Sequence, residues 1–175
     1  MYEIKSTART GLLHLGIDPG ANTGLAVYAP RINQITHLRT EPFWEAHDLV
    51  LGLAAPEHMV VVLEDPTFTT YVWQANRKDT VNVKLKKAQS VGANKRDAQL
   101  WFDLLSNKGY HVITKAPGEG RGWDSAKWTE DLFQRITGCM MRSSQHARDA
   151  AAMVYGMNGR IDVYRRTQPM ERPTL

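Results

Sequence analysis

The chain has 175 residues, 42% of them apolar and 23% charged, which is room for one well-buried core and too little for two. A formal charge of +4 and a pI near 9.3 make polyanions reasonable partners. The single cysteine, Cys139, excludes an intrachain disulfide and a four-thiolate zinc site, fits a reducing cytoplasmic compartment and is expected as a small, half-buried apolar residue.

Taken in order, Met1 to Thr10 is polar and mixed in charge and is expected to be a flexible segment ahead of one domain, 11–158. The apolar stretch Leu12 to Ile17 is too short for a signal-peptide core or a membrane span. Leu12 to Asp18 reads as a strand buried toward its end, which Pro19-Gly20 stops. Gly24 to Ala29 reads as a second strand, joined to the first by a hairpin-length link. Gln34 to Thr40 is a third. Pro42 opens a helix, Phe43 to Leu53, whose Phe43, Trp44, His47, Val50, Leu51 and Ala54 fall on one face. The β-branched run Met59 to Leu63 reads as a central strand ending in Glu64-Asp65-Pro66.

Residues 67–83 form a polar and aromatic connection. A long helix is expected from Lys84 to Asn107, with Ala88, Val91, Leu100, Trp101, Leu104 and Leu105 on its apolar face, and Lys108-Gly109 ends it. Tyr110 to Thr114 is a fifth strand. Asp124 or Ser125 is expected to cap a helix running to Ile136, and Ser143 or Ser144 a last helix to Met157. The stretch 159–175 is basic and expected to be loosely ordered. The order β-β-β-α-β-α-β-α-α predicts an α/β fold: a mixed five-stranded sheet, three strands antiparallel and two parallel, with helices on both faces.

Asp18 ends the first strand and Glu64 the fourth, so both carboxylates should open on the same edge of the sheet, where open α/β sheets bind ligands. Two such carboxylates side by side repel each other unless a cation lies between them. Hard divalent ions such as Mg²⁺ or Mn²⁺ suit oxygen ligands of this kind. His146 and Asp149, three residues apart, share one face of the last helix. The small residues Ala147, Ala150 and Ala151 let that helix lie close to the sheet. Beside the first strand, Asp149 would join Asp18 and Glu64 around a metal pair of the kind that hydrolyses phosphodiesters.

The segments Gly16-Ile17-Asp18-Pro19-Gly20 with Gly24, Leu63-Glu64, and His146-x-x-Asp149-Ala150-Ala151 together resemble the RuvC-like Holliday junction resolvases of the RNase H-like superfamily. The similarity runs from about Leu13 to Tyr155. It implies an RNase H-like nuclease domain and a metal-dependent endonuclease of DNA recombination and repair. Such enzymes act as homodimers, making paired nicks in a four-way junction that leave 5′-phosphate and 3′-hydroxyl ends. Asp18, Glu64 and Asp149 would be its metal-binding carboxylates. His146 stands where the bacterial resolvases usually carry another carboxylate. It would be a catalytic group in the metal shell, which suits Mn²⁺ better than Mg²⁺, or would transfer a proton.

The resemblance places a base-stacking aromatic at Phe68, with Tyr71 and Trp73 as neighbours. Basic residues suited to DNA phosphates are Arg77, Lys78, Lys84, Lys86, Lys87 and Lys95, then Lys115, Arg121 and Lys127. The long helix is the expected dimer interface. Three rivals stand beside this reading. A nucleotide-binding protein of the actin and sugar-kinase type needs two such domains, and the chain holds one. A non-cleaving junction binder conflicts with three intact carboxylates. A nuclease of the same fold acting on flaps, R-loops or forks is not separable by sequence.

Overall fold

The computed structural model describes residues 12–68, 80–118 and 127–157. Strands β1 (Leu13–Asp18), β2 (Asn22–Ala29) and β3 (Gln34–Pro42) are followed by helix α1 (Phe43–Leu53). Then come β4 (Met59–Glu64), α2 (Val81–Asn107), β5 (His111–Lys115), α3 (Glu130–Thr137) and α4 (Gln145–Val154). The sheet order is β3-β2-β1-β4-β5. β1 pairs antiparallel with β2 and parallel with β4, β2 pairs antiparallel with β3, and β4 pairs parallel with β5. This is the mixed five-stranded architecture expected from the strand and helix order.

Both faces of the sheet are covered, which is why β1 and β4 are apolar nearly throughout. Leu15, Ile17, Val61 and Leu63 pack with Ala46 and Val50 of α1 and with Trp101 and Leu105 of α2. On the other face, Ala26, Tyr28 and Val62 pack with Phe133 of α3 and with the alanines of α4; Cys139 is buried in the same cluster. No helix among the described residues is long and apolar enough to cross a membrane.

Several boundaries differ from the sequence reading. β3 runs on to Pro42, and β5 is displaced by one residue, with Tyr110 outside it donating its hydroxyl to the Ala54 carbonyl (2.8 Å). α2 starts at Val81 rather than Lys84, because the Thr80 hydroxyl accepts the Val83 N–H and caps it there. α3 starts at Glu130, capped by Thr129 (3.3 Å from the Leu132 N–H). Asp124 and Ser125 lie outside the described residues, as do 1–10 and the tail. α4 is capped by Ser144 and stops at Val154, three residues before Met157.

Two apolar faces also differ. Trp44 is 66% exposed; the buried stripe of α1 centres on Ala46 and Val50, and Trp44 lies about 200° around the helix from Ala46. On α2, Ala98, Trp101 and Leu105 are buried, whereas Ala88 and Val91 are exposed and Leu100 is 40% exposed. A 27-residue helix is about 40 Å long, and a six-residue strand only about 20 Å. The first half of α2 therefore overhangs the sheet.

Candidate active site

Asp18 is the last residue of β1 and is 8% exposed. The register that pairs Ile17 with Leu63 brings the next residues, Asp18 and Glu64, level on neighbouring strands, about 4.8 Å apart in the sheet. In the other direction Asp18 pairs with Gly24.

Gly24 and Gly16 decide what covers this edge. A Cβ at Gly16 would fall on the carbonyl of Ala150, and one at Gly24 on the carbonyl of His146. Two missing side chains on the sheet, together with Ala147, Ala150 and Ala151 on the helix, all buried, let the α4 backbone rest on the strands. Because His146 lies over Gly24, its ring arrives beside Asp18, with Nδ1 2.8 Å from Oδ2. The ring is half-exposed.

Asp149, one turn further on, is 4% exposed. Its Oδ1 accepts the Gln145 side-chain amide at 3.0 Å. Its Oδ2 stands 3.4 Å from the Lys127 ammonium, which remains largely exposed. Burial pushes the Asp18 carboxyl above the usual carboxylate range; the His146 hydrogen bond and charge pull it down, the Asp149 charge pushes it up, and the Lys127 charge pulls it down. The two aspartates are thus in electrostatic contact, and the His146 hydrogen bond and the Lys127 ammonium oppose their repulsion. Among the described residues, no three His, Cys, Asp or Glu side chains are gathered into a ready-made metal cage. The donor chemistry nevertheless fits a hard divalent cation, which commonly uses one or two carboxylates and completes its shell with water and substrate phosphate.

Asp18, His146, Asp149 and Lys127 are therefore brought together, and Glu64 stands level on the adjacent strand, half-buried. Phe68 is 51% exposed at the end of a short turn that buried Asp65 fixes: its Oδ1 accepts the Thr67 N–H (2.8 Å), its carbonyl the Phe68 N–H (3.3 Å). Lys115, a candidate DNA contact, lies at the end of β5. It is half-buried, and its ammonium donates to the Met153 carbonyl (3.0 Å), tying β5 to the end of α4. Lys84 and Lys95 are half-buried on α2 and Lys86 is exposed. Tyr71, Trp73, Arg77, Lys78 and Arg121 lie outside the described residues, as does the side chain of Lys87.

Sequence reading missed Gln145 and Arg148. The first was detectable from its i, i+4 spacing to Asp149. The second had no signal beyond a charge at a helix start.

No protein-family model matches the chain, and no curated protein matches it. Among solved structures, the chain is similar to T. thermophilus RuvC in complex with Holliday junction substrate, at 16% identity and a TM-score of 0.51. The match covers 81% of this chain and 90% of that one. At this identity the likeness is one of fold: the sheet and its helices have the RNase H-like architecture of that protein.

Proposed function

We propose that the chain is a metal-dependent endonuclease of branched DNA that cuts four-way junctions, leaving 5′-phosphate and 3′-hydroxyl ends. One observation carries this reading: α4, seated on Gly16 and Gly24, delivers His146 and Asp149 to the Asp18 edge of the sheet. That a protein of the same architecture was solved with a Holliday junction supports the substrate class.

Asp18, Glu64 and Asp149 would hold a pair of Mg²⁺ or Mn²⁺ ions. Such ions, when bound, acidify water and stabilise charge on phosphate oxygens. The chain's own groups do the rest. His146 has Nδ1 on Asp18, and its half-exposed ring is placed to hold or move a proton at the edge of the site. The exposed Lys127 ammonium, beside Asp149, attracts the scissile phosphate toward the carboxylates. Phe68 presents an open ring on which an unpaired base stacks. A homodimer, joined through the overhanging half of α2, would supply the second cut of the junction.

Cleavage of labelled four-way junction, flap, duplex and single-stranded DNA, side by side with Mg²⁺ or Mn²⁺, tests the proposal. Preferential paired nicking of the junction is expected. Equal cutting of flaps makes the protein a broader branched-DNA nuclease, and binding without any cutting removes the nuclease reading.

A further inference from the structure

Arg148 lies between His146 and Asp149 in sequence, yet its guanidinium faces a different set of partners. Its Nε donates to the Trp128 carbonyl at 2.9 Å. One terminal nitrogen donates to the Ser143 carbonyl (2.8 Å) and hydroxyl (3.1 Å), and the other to the Gln145 side-chain oxygen (3.2 Å). Two of these contacts lead back to Asp149. The Gln145 amide nitrogen donates to Oδ1, and Trp128 adjoins Lys127, whose ammonium pairs with Oδ2.

We propose that Arg148 is the positioning residue of this site: its guanidinium closes a ring through Gln145, Asp149, Lys127 and Trp128, and so sets what reaches each oxygen of Asp149.

The geometry explains why an arginine stands there. Four acceptors on three residues need a rigid planar fork of donors, which a lysine ammonium does not provide. The ring also fixes an orientation that nothing else in it enforces. A glutamine amide can present either its oxygen or its nitrogen. With Arg148 donating to the oxygen, the NH₂ must point at Asp149. Without Arg148 the amide can turn over and set oxygen against carboxylate. The Trp128 contact acts on the other side. Trp128 is 7% exposed, with its ring against Phe133 (centroids 6.3 Å apart). Held at both ring and carbonyl, it delivers Lys127 to Asp149 at a fixed place.

The effect on turnover rests on the nuclease reading; the ring itself rests on geometry alone. Two measurements keep these apart. In steady-state junction cleavage, Arg148→Gln and Gln145→Leu should each lower kcat about 10-fold or more, the range found for residues that orient metal ligands, with KM within about two-fold, since neither is placed on the DNA. The double variant should be no slower than the slower single, because both changes break the same ring. Arg148→Lys should not rescue. In the metal-free protein, the side-chain NH₂ signals of Gln145 should sit away from those of a free amide, and Arg148→Gln should move them there. Gln145→Leu removes no guanidinium contact to backbone and keeps the kinetic arm usable if Arg148→Gln folds poorly. Wild-type turnover in Arg148→Gln, effects that multiply in the double variant, or unmoved Gln145 signals would each overturn the proposal. A wild-type protein that cuts nothing would instead overturn the nuclease reading, and the amide signals would still decide the ring.

Discussion

His14 and Asp18 lie on the same face of the same strand, and burial acts on them in opposite directions. It raises the Asp18 carboxyl, where His146 and Lys127 answer the charge. It lowers the His14 imidazole, and the Lys115 charge lowers it further. His14 is 1% exposed and its Nδ1 has no hydrogen-bond partner among the described residues, so the fold disfavours its charged form. The unfolded chain takes up that proton as pH falls through about 6.5. Stability linked to His14 is therefore intact above this value and is lost as pH drops below it. His14→Leu removes the orphaned nitrogen and should stabilise the protein by about 1–2 kcal/mol. The gain should be larger near pH 5 than near pH 8, as read by thermal melts at both. An equal shift at the two values would contradict the assignment. At this scale the acidic residues were legible, since strand tips and an i, i+3 pair can be read from spacing. Arg148 and Gln145 were not, because a polar helix start looks the same whether its side chains meet water or one another.

Between elements, the decisive contact is made by atoms that are not there. Gly24→Ala would place a methyl on the His146 carbonyl, forcing α4 off the sheet at about 1–3 kcal/mol and moving His146 and Asp149 from Asp18. Cleavage should fall far more than stability explains. Gly138→Ala is the control: it meets no atom within contact range among the described residues but has φ +68°, so it should cost about 1 kcal/mol and leave cleavage intact in the folded fraction. Full activity in Gly24→Ala, measured by junction cleavage alongside a melt, would show that the seat of α4 does not set the site. The sequence reading placed α4 near the sheet from its alanines alone. The matching glycines lie in other strands, and only register brings them under the helix. The misread face of α2 has a similar origin: periodicity reports which residues share a stripe, and the length of the sheet determines how much of that stripe is covered.

For the whole molecule, the mixture of three antiparallel and two parallel strands was legible because short links favour antiparallel neighbours and helix crossovers favour parallel ones. Assembly was not legible in that way. The overhanging half of α2 carries Val81 at 71% and Leu85 at 57% exposure, and with Ala88 they recur at helical spacing on one line. This face fits the proposed dimer. Leu85→Glu should convert a dimer to monomers by sedimentation equilibrium and turn paired nicks into single ones; a wild-type monomer would remove the pairing. The central claim is that Asp18, Glu64 and Asp149 form one phosphodiester-cleaving site, and Asp18→Asn tests it most directly. Measured on a labelled four-way junction, cleavage should fall by at least ~100-fold while binding changes little. Cleavage undiminished in that variant would contradict the account.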